Sequence, residues 1–268
     1  MNLLGWTFSI HADAGAYHSV LKNATPPEIW IEDICDGVAV RVHPELRKVD
    51  LWCCGSLSPD TLNHCLHDLI LPKLAARDGA LVLHGGSVLI GSGCIAIVAP
   101  SGHGKSTLSA SLHAEGFPLI SDDAIILRPE ESRYQGVRLH PTLRLFPDSL
   151  SRLFPGAVDT TLVADYTDKR RLSVAAGPDT APLRALFRLC APTEDIRIIR
   201  LAPAAACMAM IENAFALDPA DARETRGRFE LAAKAARVVP VFDLAYPRDY
   251  DRLPDVHSAL FDALSACA

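Results

Sequence analysis

The rhythm of polar and apolar positions changes partway along the chain. From Thr7 to Cys53, apolar residues come in short, part-alternating runs: Thr7 to His11, Glu28 to Ile34, Val38 to Val42 and Val49 to Cys53. These runs are punctuated by Pro26-Pro27, Asp36-Gly37 and Pro44. Alternation over a few residues, closed by turn formers, predicts strands, and the four runs read as a small antiparallel sheet. Pro59-Asp60 then opens a helix on which Leu62, Leu66, Leu69 and Ile70 recur at helical spacing toward Leu74, interrupted or ended near Pro72. The pattern predicts a small β-rich N-terminal domain with one helix over residues 1–78.

From Ala80 the apolar runs become dense. Leu81 to Leu83, Ser87 to Ile90, Cys94 to Val98, Leu119 to Ser121 and Ala124 to Leu127 predict buried strands, and Val137 to Leu139 looks extended. Asp148 to Phe154 predicts a short helix, and Leu183 to Cys190 and Ile196 to Leu201 two further strands. Helices are expected over Ala204 to Ala214 and Asp221 to Arg237, the second burying Phe229 and Leu231 with several alanines. A strand over Val238 to Leu244 and a helix over Pro254 to Ala266, with Val256, Leu260 and Leu264 four apart on one face, complete an α/β domain over 79–268.

Composition narrows the function classes. In 268 residues, 49% are apolar, enough for a sizeable core. A formal net charge of −6 argues against a nucleic-acid groove, because a phosphodiester backbone attracts basic surfaces. Any anionic ligand must then be drawn in by local positive charge. No secretory signal or run of about 18 apolar residues is visible, so neither a membrane span nor a membrane partner is expected. The eight cysteines form no CxxC pair, which predicts reduced, mostly buried thiols of a cytoplasmic protein. His64 and His67 lie three apart with no third ligand nearby, and read as ordinary helix residues.

The candidate chemistry lies where the run Cys94 to Val98 breaks into Ala99-Pro100-Ser101-Gly102-His103-Gly104-Lys105-Ser106-Thr107, followed by Leu108 and Leu112 four apart on a helix. Strand, glycine turn and helix are the parts of a phosphate-binding loop. Backbone N–H groups from Ser101 to Thr107 would cradle a polyphosphate at the helix N-terminus, where the first donors have no intrahelical partner. Lys105 would reach the outer phosphates and the Ser106 hydroxyl would ligate the Mg²⁺ that travels with ATP. The usual pattern is GxxxxGK followed by Ser or Thr; here Ala99 replaces its first glycine. Asp122 and Asp123, seventeen and eighteen residues after Lys105, follow an apolar strand. Two adjacent acids there can divide the labour, one near Mg²⁺ and one near the group being phosphorylated.

The stretch APSGHGKSTLSASLHAEGFPLISDD resembles the HPr kinase/phosphorylase family of bacterial protein-serine kinases, and phosphoenolpyruvate carboxykinases share its local pattern. Leu83-His84-Gly85-Gly86-Ser87 is similar to the His-Gly strand that precedes the loop in HPr kinases. The matches run from about residue 81 to 127. The resemblance implies a P-loop-containing mixed sheet flanked by helices, ATP and Mg²⁺ as cofactors, and Asp123 as acceptor of the hydroxyl proton. It further implies Asp122 as a metal ligand beside Ser106, and His84 beside the acid pair; the roles of Asp122 and Asp123 could be reversed. The Glu-x-Arg-Gly-x-Gly stretch of HPr kinases is missing after Asp123, which puts a reverse phosphorylase activity, and HPr itself as substrate, in doubt. The layout looks more like shorter relatives that phosphorylate a serine of lasso-peptide precursors.

Asp168-Lys169-Arg170-Arg171 lies in a polar stretch, Asp159 to Ser173. Such a cluster is usually a solvated face. The sharper reading is a mobile basic segment in which Lys169 or Arg171, with Arg144, meets the transferring phosphoryl group or an acidic peptide. The expectation is thus a kinase acting on a serine of a protein or peptide. The rivals are a carboxykinase-like enzyme on a small carboxylate and a non-catalytic nucleotide-dependent binding protein. The N-terminal sheet could serve as a homo-oligomer interface.

Overall fold

In the computed structural model, which describes residues 2–22, 30–35, 37–156 and 159–267, the chain divides into two compact units, 1–75 with 162–168 and 76–161 with 169–268. The first contains β1 (Asn2–Leu3), β2 (Trp6–Ala12), α1 (Ala14–Lys22), β3 (Trp30–Cys35), β4 (Val38–His43) and β5 (Lys48–Cys53). It ends in α2 (Pro59–His64), a π-helical stretch Cys65–Ile70 and α3 (Leu71–Arg77), whose last residues enter the second unit. Pro26-Pro27, the first residues of the predicted strand from Glu28, and Asp36 lie outside the described residues.

The first sheet runs β1-β2-β5-β4-β3, and β2 pairs with β5 in parallel where an antiparallel sheet was expected. The unpredicted helix α1 accounts for the difference. It returns the chain before the β3-β4-β5 meander begins, so β5 points the same way as β2. Asp13 starts α1 by accepting the Ala16 N–H (3.0 Å), and Tyr17 and Val20 bury its face against Ala39. Further along, the helical ladder shifts register in the π stretch and Pro72 continues inside α3, so the proline does not end it. In the returning segment, the Thr61 hydroxyl donates to Asp165 (2.8 Å). His64 lies on the helix as expected, its ring bonded to Asp68 (2.8 Å).

The second unit follows with β6 (Leu81–Leu83), β7 (Gly85–Ile90), β8 (Gly93–Val98), α4 (Lys105–Ala114), β9 (Leu119–Ser121), β10 (Ile125–Glu130), β11 (Arg133–Arg138), β12 (Thr142–Leu145), α5 (Pro147–Leu153), β13 (Thr160–Leu162) and β14 (Arg170–Ser173). Then come β15 (Thr180–Leu189), β16 (Arg197–Arg200), α6 (Pro203–Glu212), α7 (Ala222–Val238), β17 (Val241–Ala245) and α8 (Leu253–Ser265). Its main sheet is mixed and runs β6-β10-β11-β15-β8-β7-β9, with β17 on β15 and β16 on β17. The ten-residue β15 is antiparallel to β11 at its start, then parallel to β8 and β17, and so joins the halves of a curled sheet.

Strand β8 explains its own sequence. Ile95 and Ile97 face a core with Leu108 and Leu112 of α4 and Val256 and Leu260 of α8, whereas Cys94, Ala96 and Val98 face Met210 of α6 and Ala232 and Ala235 of α7. A strand covered on both faces needs apolar residues throughout. Helix α7 differs from expectation, because Phe229 is 53% exposed and the small alanines make its close contact. The stretch from Asp159 to Ser173 is not one open basic segment either, since Arg170–Ser173 pairs with β12. No helix among the described residues is long and apolar enough to cross a membrane.

Candidate functional site

Strand β8 ends at Val98, and the chain turns through Ala99 to Gly104 into α4. Gly102 (φ 79°) and Gly104 (φ 84°) take left-handed conformations that a side chain would strain. Ser101 and His103 are exposed, and the His103 ring bonds the Ser101 carbonyl (3.1 Å). The first N–H groups of α4 have no carbonyl a turn earlier to bond. Lys105 is buried at the start of α4 and folds back, its Nζ donating to the carbonyls of Ala99 (2.8 Å) and Pro100 (3.2 Å). Burial pushes its pKa down to about 8, against the pull of Asp123 and Asp122. Thr107 faces away from this cluster toward Ser149 (Oγ1 to Oγ 3.2 Å).

The acid pair follows β9, which is tied to the sheet through β7. Asp122 is 1% exposed; it accepts from Ser106 Oγ (3.2 Å, at Oδ1) and from the backbone N–H of Arg144 (3.0 Å, at Oδ2). Burial, then the charge of Asp123, push its carboxyl up to about 6, with Arg144 pulling the other way. Asp123 is the more exposed of the two, and its Oδ2 lies 3.4 Å from Nε of the buried Arg144. The Arg144 guanidinium also donates to the Asp122 carbonyl (3.3 Å). Asp123 has φ 65°, unusual for a residue with a side chain.

His84 precedes Gly85, whose N–H donates to the Asp123 carbonyl (3.2 Å). The ring of His84 stacks on Phe215 with centroids 5.7 Å apart. Burial, with the charge of Lys105, holds its pKa down to about 4, so it is neutral near pH 7. Lys169 lies near enough for its charge to act on both His84 and Lys105, and its ammonium sits 5.2 Å from the Phe146 ring centroid. Arg171 stands across from Arg144 in the β12/β14 register.

The structure therefore gathers Lys105, Ser106, Asp122, Asp123, Arg144, His84 and Lys169 into one neighbourhood, while Ser101 and His103 occupy the outer turn and Thr107 turns to α5. The sequence reading passed over two features. Arg248 and Tyr246 approach Gly104, a consequence of the strand order β8-β15-β17. Gly86 leaves room for Ser109 of α4, and two glycines in a strand pattern were the available signal of a close approach.

These elements define a mixed α/β protein with a glycine turn at a helix N-terminus beside an acid pair, one member buried and one partly exposed. No family model matches the chain, and no curated protein matches it. Among solved structures, the HPr(Ser) kinase/phosphatase from Coxiella burnetii is similar over 68% of this chain and 95% of its own, with 13% identity and a TM-score of 0.37.

Proposed function

We propose that the chain is an ATP- and Mg²⁺-dependent kinase of the HPr-kinase-like type, acting on a serine hydroxyl of a protein or ribosomal precursor peptide. The observation that carries the proposal is the hydrogen bond from Ser106 to Asp122, which puts the two residues expected to share a cation in contact beside the glycine turn. The donor set suits the group. Hydroxyl and carboxylate are hard oxygen ligands, and magnesium bound with a nucleotide needs only one or two protein ligands of this kind. An added Cβ at Gly102 would meet no heavy atom within 4 Å, so the turn is open on that side.

Bound there, ATP supplies the phosphoryl group and Mg²⁺ screens its charge. The chain's residues do the rest by position. Lys105 can exchange its two loop carbonyls for phosphate oxygens, and the N–H groups of the turn and of α4 add donors. Asp122, buried and bonded to Ser106, is the metal-side acid. The more exposed Asp123 can meet an incoming hydroxyl and take its proton, with Arg144 keeping its carboxylate oriented. Neutral His84 borders the pair without adding charge.

The test uses γ-labelled ATP with candidate serine peptides, alongside calorimetric titration with MgATP. Lys105→Ala should weaken MgATP binding by roughly tenfold or more, the loss of a charge-assisted contact. Asp123→Asn should bind MgATP like the native protein but transfer label about a hundredfold more slowly or worse. Transfer at the native rate by Asp123→Asn would exclude its role as base. Tight MgATP binding with no label on any peptide would favour the non-catalytic binding protein.

A further inference from the structure

Beyond the chain neighbours of Gly104, the Arg248 guanidinium is the side-chain group nearest to where a Cβ on that glycine would stand. A Cβ built on Gly104 would lie 3.6 Å from Arg248 Nη1 and 3.7 Å from the Tyr246 hydroxyl. Topology brings them there. β8 is parallel to β15 and β15 to β17, so the residues after all three strands emerge at one end of the sheet. After β8 comes the glycine turn, after β15 comes Cys190, and after β17 come Tyr246, Pro247 and Arg248. In parallel sheets that end is where ligands bind.

The guanidinium is fixed by neutral groups. It lies 4.3 Å over the ring of the buried Tyr246, and Nη2 donates to the Cys190 carbonyl (3.0 Å). Elsewhere in this unit Arg77, Arg138, Arg144, Arg152, Arg188 and Arg252 each face a carboxylate. Among the described residues no carboxylate forms an ion pair with Arg248, and the side chain is exposed. A cation held in place by a ring and a carbonyl, with its charge unspent beside a glycine turn, is arranged for an anion from solution.

We infer that Arg248 is a second cation for the phosphate chain of the nucleotide, contacting phosphate and not base. The inference rests on the nucleotide-site reading above. Its guanidinium needs no rearrangement to donate, whereas Lys105 must first leave two carbonyls.

The experiment titrates native protein, Arg248→Gln, Arg248→Lys and Lys105→Ala with MgATP and MgGTP at several salt concentrations. Arg248→Gln should weaken both nucleotides by the same factor, about tenfold to a hundredfold, the scale of a hydrogen bond to a charged group. It should also flatten the salt dependence, and Arg248→Lys should recover part of the loss. If Lys105→Ala loses MgATP while Arg248→Gln binds within about twofold of native, the Arg248 inference fails and the site reading stands. It also fails if ATP alone is weakened, which would mark a base contact, or if Arg248→Lys is no better than Arg248→Gln, which would mark a packing role. No measurable MgATP binding by native protein, or none lost in Lys105→Ala, overturns the site reading and this inference with it.

Discussion

Replacing Gly86 by alanine tests how the helix carrying Lys105 and Ser106 is seated on the sheet. An added Cβ would lie 2.3 Å from Ser109 Oγ, 3.3 Å from Ser109 Cβ and 3.5 Å from Asp122 Oδ1. The first distance is impossible, and Ser109 is fully buried, so either its hydroxyl turns or α4 moves off β7. Overpacking of this kind costs roughly 1–3 kcal/mol. Alanine returns about 0.5–1 kcal/mol by restricting the unfolded chain, leaving a net loss of roughly 0–2.5 kcal/mol, centred a little above 1 kcal/mol. Ser109 Oγ has no hydrogen-bond partner, so Ser109→Ala alone should be neutral or stabilising. In the double variant only the 3.3 Å contact with Ser109 Cβ and the ordinary 3.5 Å contact with Asp122 Oδ1 remain, and most of the loss should return as a coupling of about 1 kcal/mol. Gly85→Ala is the control. Its Cβ would meet the Ile97 carbonyl at 2.5 Å, a main-chain atom that cannot rotate, and Ser109→Ala should not rescue it. All three tryptophans, Trp6, Trp30 and Trp52, belong to the first unit, so urea unfolding should be followed by amide exchange in β7 and β8. An unchanged stability in Gly86→Ala, or a double variant no better than the single, would refute the reasoning.

Two further outcomes follow from burial. His84 has its pKa held near 4 in the folded chain against an ordinary 6.5, so as pH falls through this window the unfolded chain takes up the proton first. Stability from this group is full above about pH 6.5 and declines toward pH 4, by at most about 3 kcal/mol. Subtracting the pH profile of His84→Phe, which keeps an aromatic ring for Phe215, should reveal that slope, and parallel profiles would contradict the assignment. Phe229→Lys should change stability by less than about 0.5 kcal/mol because the ring is exposed; a loss near 3 kcal/mol in urea unfolding would place it in the core.

Local patterns were legible where one residue type served one purpose. Cys94 to Val98 could be read as a strand because both its faces are covered, and the turn from Ala99 to Gly104 because left-handed backbone selects glycine. Helix α1 was missed because Tyr17 and Val20 are its only fully buried residues, too few to set a period. The parallel pairing of β2 with β5 leaves no mark in either strand, since alternation looks the same in both directions. Phe229 misled because helix α7 packs through Ala232, Ala235 and Ala236, where small side chains let helices come close. In the candidate site, the turn and acid pair stand close in sequence and could be singled out together. The approach of Arg248 depends on the order β8-β15-β17, which no local pattern encodes.

Residues adjacent along a strand point to opposite faces, so two consecutive acids would ordinarily diverge. Here the Ala124 N–H bonds the Asp122 carbonyl (2.9 Å), closing a three-residue turn with Asp123 at φ 65° in its centre. Such a conformation costs an aspartate on the order of 1–3 kcal/mol, and glycine would adopt it freely. The turn sends the Asp122 carboxylate inward to Ser106 and leaves the Asp123 carboxylate partly exposed, while both remain on Arg144. Two acids of different exposure around one buried cation separate their environments, and that separation lets neighbouring carboxylates take different tasks. Glycine at 123 would relieve that strain but take from the buried Arg144 guanidinium the carboxylate 3.4 Å away, so the bend is kept where an acid serves both the ion pair and the proposed site.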